Sequence, residues 1–81
     1  MKLFLVSPFA HREIVVAWIE VNTPSGNLII LPGHAPTIVS LSPEQPLTYC
    51  LKNGKKETIL VHRGMAEVSR DRATIVVDGA L

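Results

Sequence analysis

The residues able to do chemistry are few, and they stand apart. Histidine occurs at positions 11, 34 and 62, cysteine once at position 50, and the carboxylates are Glu13, Glu20, Glu44, Glu57, Glu67, Asp71 and Asp78. A metal site wants histidines one helical turn apart or cysteines in short pairs. His11, His34 and His62 have no such spacing, and the single cysteine excludes both an internal disulfide and every cysteine-based zinc pattern. A Cys50–His62 nucleophile pair would have to meet across strands, with an acid to orient the imidazole. The hairpin expected below puts residue 50 opposite residue 57, which leaves His62 too far along its strand. The carboxylates are dispersed, with no pair to serve as acid and base. Gly26 and Gly33 precede neither a Gly-Lys-Ser/Thr nor a helix N-terminus, so no phosphate-cradling loop is expected. These residues point to contact and not to catalysis: no catalytic residue, no metal and no cofactor is expected.

One stretch has a defined local structure, Asn27-Leu28-Ile29-Ile30-Leu31-Pro32-Gly33-His34-Ala35-Pro36. Its apolar run must stop at Pro32, which lacks a backbone donor and has a fixed φ. Pro-Gly suits the centre of a type II turn, with Gly33 at φ > 0. Ala35 precedes Pro36 and is pushed to extended geometry, so the chain leaves ready to begin another strand. His34 is expected at the tip of this rigid turn with its imidazole outward.

The elements that must hold this turn are strands. The 81 residues form one small domain, spanning 1–81, with 47% hydrophobic and 19% charged residues. The charged share lies below the roughly 25% usual for soluble domains. A net charge of +1 argues against a nucleic-acid surface, which needs a basic stripe. Lys52, Lys55 and Lys56 flank Asn53-Gly54 and are expected as a solvated hairpin rim. The opening Met1–Val6 has no signal-peptide h-region before Ser7-Pro8, and no apolar run approaches the ~18 residues of a membrane span. Membrane association would come through a partner.

Apolar runs recur about every 8–12 residues with turn residues between them, the pattern of an all-β sandwich or barrel. Leu3–Ser7 is expected as a strand, residues 9–13 as a polar passage, and Glu13–Asn22 as a longer extended stretch. Thr23-Pro24-Ser25-Gly26 reads as a turn, Asn27–Leu31 and Thr37–Leu41 as strands, and Ser42–Pro46 as an irregular loop. Leu47–Leu51 and Glu57–His62 form the clearest hairpin, with Asn53-Gly54 suited to a type I′ turn. A break at Arg63-Gly64 precedes a last hairpin, Met65–Val68 with Thr74–Val77. Several strands are apolar on both faces, among them Leu3–Val6, Ile14–Ile19, Leu28–Leu31 and Ile75–Val77. A sheet with one wet face should alternate, so an outer face is expected to dock on another protein.

With turn and strand order in place, the chain resembles the N-terminal β-sandwich domain of the epsilon subunit of F-type ATP synthases. The resemblance rests on Gly26 to Pro36, close to that family's strand leading into Leu-Pro-Gly-His-Ala-Pro. It also rests on Leu3–Pro8, on Ile59–Val68 and on Ala73–Asp78. It implies a flattened antiparallel β-sandwich of about 8–10 short strands. It further implies a non-catalytic central-stalk (rotor) subunit that binds the gamma subunit and contacts the c-ring. Such a subunit couples ion translocation to ATP synthesis, and its place is peripheral, on the cytoplasmic face of a bacterial inner membrane or the organellar equivalent. The contact residues implied are Asn27, Leu31, Pro32, Gly33, His34, Ala35 and Pro36. Three positions depart from the family: Ile29 for a usual glycine, Asn27 where some members are acidic, and Arg63 for the first residue of a Gly-Gly pair. Typical members also continue past the position of Leu81 into a two-helix C-terminal domain that can inhibit hydrolysis. A chain without that hairpin is expected to lack helix-mediated inhibition. The alternative is a small β-barrel or sandwich that binds protein or nucleic acid. It needs a basic, aromatic-lined groove, for which only Phe4, Phe9, Trp18 and Tyr49 are at hand.

Overall fold

Two-residue alternation decides the architecture. Leu3 and Leu5 are wholly buried while Lys2 stands in solvent, and Ala73, Ile75 and Val77 turn inward around an exposed Val76, as a pleated strand demands. The computed structural model describes residues 1–78 and contains, among them, eight strands and no helix. These are β1 (Lys2–Val6), β2 (His11–Thr23), β3 (Gly26–Ile30), β4 (Thr37–Leu41), β5 (Gln45–Leu51), β6 (Lys56–Val61), β7 (Arg63–Val68) and β8 (Arg72–Asp78). The all-β class is as expected, and so is the flattened shape, 26 × 26 × 18 Å.

The strands run β4-β7-β8-β1-β2-β5-β6, with β3 paired to β2 off this path. Strand β2 belongs to both layers: its first half pairs β1, and its second half pairs β3 and β5. A register shift between Val16 and Trp18 marks the bend between the halves. Leu3, Leu5, Ala66, Val68, Ala73 and Ile75 of one layer share a core with Ile19, Val21, Ile30, Leu47, Tyr49 and Val61 of the other. Each fully buried aliphatic side chain contributes ~1.5–3 kcal/mol relative to exposure. Among the described residues no polar or charged residue other than Tyr49 is buried, and the Tyr49 hydroxyl donates to Glu57 Oε2 at 2.8 Å.

Five local expectations are corrected. The sheet is mixed, because β1 and β8 run parallel with Leu3 opposite Ala73. The polar passage at 9–13 is mostly strand: β1 and β2 form a hairpin with Val6 opposite His11, closed where Ser7 N–H donates to Ala10 O. Polar side chains there simply face water. Pro46 lies within β5, where it costs no ladder bond beside β2, and its carbonyl accepts from Asn22 Nδ2 at 3.2 Å. The β5–β6 turn is not type I′, since only Gly54, at φ 91°, is left-handed there. Gly54 N–H donates to Leu51 O, giving a type I turn with a glycine bulge, which moves the register so that Lys56, not Glu57, faces Cys50. Finally, the chain bends at His62 alone, and Arg63 and Gly64 already belong to β7.

Candidate functional site

The turn after β3 is built as its sequence dictates. Pro32 and Gly33 occupy its corners, Gly33 has φ 84°, and His34 N–H donates back to Leu31 O at 3.1 Å; this is the type II turn. Gly33 N–H donates to Arg70 O at 2.7 Å, so the turn is moored to the β7–β8 connection. The same connection takes Lys2 N–H on Asp71 O at 3.0 Å. Ala35 O accepts from Thr37 Oγ1 at 2.9 Å and lies 2.8 Å from His34 Nδ1. His34 is therefore half-buried with one ring nitrogen turned onto its own chain, and not projected from the tip. The exposed groups are Leu31, Pro32, Gly33, Ala35 and Pro36. With its backbone held at Gly33 and Ala35, the turn offers a pre-ordered apolar surface, which is what lowers the entropic cost of binding.

Asn27 is not part of this surface. It stands at the opposite end of β3, across from Asn22, and its Nδ2 reaches Asn22 Oδ1 at 3.3 Å. Leu31 lies four residue steps further along the chain, about 13 Å away. The seven candidates thus fall into two groups joined by β3. They share an outer face, because Asn27, Ile29 and Leu31 all point away from the buried Ile30.

That face contains residues the sequence reading did not assign. Trp18, Glu20, Ile29, Leu31 and Lys56 surround one depression of the β3-β2-β5-β6 layer, and the Lys56 ammonium sits 5.5 Å from the Trp18 ring. A signal existed: Trp18, Glu20 and Asn22 have the same parity in β2, so two polar residues predict that the tryptophan also faces out. The opposite layer has its own apolar patch, Val6, Pro8, Met65 and Val76, bounded by Arg63 and Asp78. Phe4 lies on that side beneath Arg72, 5.3 Å away. The aromatic residues therefore divide between two outer faces and the core, and do not line one groove. His62 pairs with Glu44, Nδ1 to Oε2 at 3.0 Å, beyond the last β5–β6 pair and away from Cys50. Among the described residues no three His, Cys, Asp or Glu side chains are grouped to hold a metal ion.

The profile of the family described as ATP synthase, Delta/Epsilon chain, beta-sandwich domain matches residues 1–81. The chain belongs to this family. It is 41% identical over 83 aligned positions to the ATP synthase epsilon chain of Rhodobacter capsulatus, covering 100% of this chain and 61% of that one. It is 41% identical over 56 residues to the epsilon chain of Acinetobacter baumannii, covering 69% of this chain and 40% of that one. The chain thus spans about half the length of these relatives. Among solved structures, it superposes with a TM-score of 0.87 on a chain of the Euglena gracilis mitochondrial ATP synthase, resolved as OSCP/F1/c-ring. That likeness carries 26% identity and covers 98% of this chain and 51% of the other. A chain of the Tetrahymena thermophila central stalk and c-ring shares the fold at a TM-score of 0.80 and 22% identity.

Ile29 presents an exposed side chain beside Leu31 and Trp18. Arg63 points outward and meets Asp78 at 3.5 Å. Gly64 keeps its glycine for a packing reason: a Cβ there would lie 2.8 Å from Val76 O.

Proposed function

We propose that this chain is a non-catalytic rotor component of an F-type ATP synthase, held in the central stalk by the gamma subunit and set against the c-ring. The observation that carries this reading is the moored turn Leu31–Pro36, an exposed apolar projection on a delta/epsilon-type sandwich. A part that transmits torque must contact its neighbours through backbone that does not yield, and this turn is hydrogen-bonded at Gly33 to the β7–β8 connection and at Ala35 to Thr37 at the start of β4. The location of two structural relatives in ATP synthase assemblies that include the c-ring supports the reading. On it, the domain rides at the membrane surface, on the cytoplasmic side in a bacterium, through its partners. Among the described residues no helix is long and apolar enough to cross a bilayer.

The contact surface comprises Leu31, Pro32, Gly33, His34, Ala35 and Pro36, with Asn27 reaching a second contact at the far end of β3. His34→Ala removes a turn side chain without touching the core, so unfolding should be unchanged within about 0.5 kcal/mol. Association with a gamma–c-ring rotor, followed by co-sedimentation, should weaken. Full association and coupling by this variant and by Leu31→Ser together would reduce the turn to architecture.

A further inference from the structure

The edge of β3 is left open in a particular way. Asn22 O accepts from Ser42 N–H at 2.8 Å, on the side of β2 away from β3. Backbone groups alternate sides along a strand, so Asn22 and Glu20 turn from β3, whereas Val21 and Ile19 bond to Leu28 and Ile30. The N–H and C=O of Asn27 and Ile29 consequently point outward from the sheet, and no described residue hydrogen-bonds to them. Natural edges are usually blunted by charge, proline or a covering element. The edge strand β6 begins with Lys56 and Glu57, but β3, Gly-Asn-Leu-Ile-Ile, has neither charge nor proline.

Beside this edge lies a groove of about 490 Å³ between β3 and β4, lined by Thr23, Asn27, Leu28, Thr37, Val39 and Ser40 among others. No lining residue is charged. We propose that β3 is a strand-addition site, at which an extended, uncharged segment of the gamma subunit pairs with Asn27 and Ile29 and lies in the β3–β4 groove. Unpaired backbone donors and acceptors select an extended backbone as occupant, and small neutral side chains on the walls select small neutral ones opposite. The edge also joins the two ends of the contact surface, from Asn27 to Leu31. A ladder engages one segment in one register, which suits gamma better than a ring presenting many identical loops.

The inference rests on the rotor reading, and the experiment separates the two. Amide exchange is followed by NMR on the chain alone and on its complex with the gamma subunit of the same organism. Alone, the Asn27 and Ile29 amides should exchange quickly and those of Leu28 and Ile30 slowly. In the complex, the first two should slow by roughly tenfold or more. Ile29→Pro deletes only an outward donor, a change edge strands accept, and should weaken gamma binding roughly tenfold beyond the effect of Ile29→Ala. If gamma binds while Asn27 and Ile29 stay unprotected, or Ile29→Pro binds as Ile29→Ala does, strand addition is wrong and the rotor reading stands. If the folded chain does not bind gamma, both fall. The exchange measurement needs no variant, so misfolding of Ile29→Pro cannot shelter the proposal.

Discussion

Gly64→Ala should destabilise the domain by crowding and not by torsion. Gly64 lies in β7 opposite Val77 with no positive φ, so its backbone is available to any residue. An added Cβ would meet Val76 O at 2.8 Å, Leu41 Cδ1 at 3.1 Å and Val61 Cγ1 at 3.2 Å. The first neighbour is a carbonyl of the paired strand β8, which yields only by distorting the β7–β8 ladder. Overpacking of this kind costs about 1–3 kcal/mol, and the lower entropy of the unfolded alanine chain returns ~0.4–1 kcal/mol. The mid-values leave a net loss of about 1.3 kcal/mol, a fall in Tm of roughly 5–10 °C for a domain this small. Gly54 supplies the control: it has φ 91° and open space around it. Asparagine tolerates left-handed backbone, so Gly54→Asn should lose less than about 1 kcal/mol while Gly64→Asn loses more than Gly64→Ala. Urea unfolding followed by circular dichroism measures the three variants against the parent. If Gly64→Ala stays within about 0.5 kcal/mol of the parent, the crowding account is wrong.

Other outcomes follow from the same contacts. Burial, followed by the hydrogen bond to Glu57, raises the Tyr49 hydroxyl above its ordinary value near 10. Its contribution is complete below that value and is lost as pH rises through the raised one, because the unfolded chain ionises first. Stability should therefore fall above about pH 10, and Tyr49→Phe should remove part of that alkaline slope while losing about 0.5–1.5 kcal/mol at neutral pH. Leu5→Ala, at a wholly buried site, should cost about 2–5 kcal/mol by thermal or urea unfolding. Trp18→Ala should leave the fold intact and weaken gamma association; unchanged affinity in a pull-down would remove Trp18 from the contact surface.

The sequence was most informative where one residue type has one physical use. Pro32, Gly33 and Pro36 specified the turn, and short apolar runs between turn residues specified strands, but runs apolar on both sides, such as Leu3–Val6 and Ile75–Val77, did not say which face is inner. Three things were decided by tertiary context. The parallel partnership of β1 and β8 depends on where the last strand returns, which no local pattern encodes. The Lys52–Lys55 loop could close by either of two turn types, and the choice moved the register by one residue. His34 looked exposed because only its neighbours in sequence were visible, whereas Ala35 O takes up its Nδ1 side. Trp18 was within reach of the parity rule but lay in a run apolar on both faces, where that rule is hard to apply. Glu44, at φ 58°, had no warning at all, since proline-rich composition predicts a loop but not a left-handed glutamate.

The central claim is that this domain is a rotor part gripped by gamma. Titration of the folded 81-residue chain with the isolated gamma subunit in a calorimeter tests it most directly. The account predicts a saturable one-to-one complex with a negative heat-capacity change from burial of apolar surface. A chain that shows its β spectrum and cooperative unfolding, yet gives no binding heat and no co-elution with gamma, would contradict it.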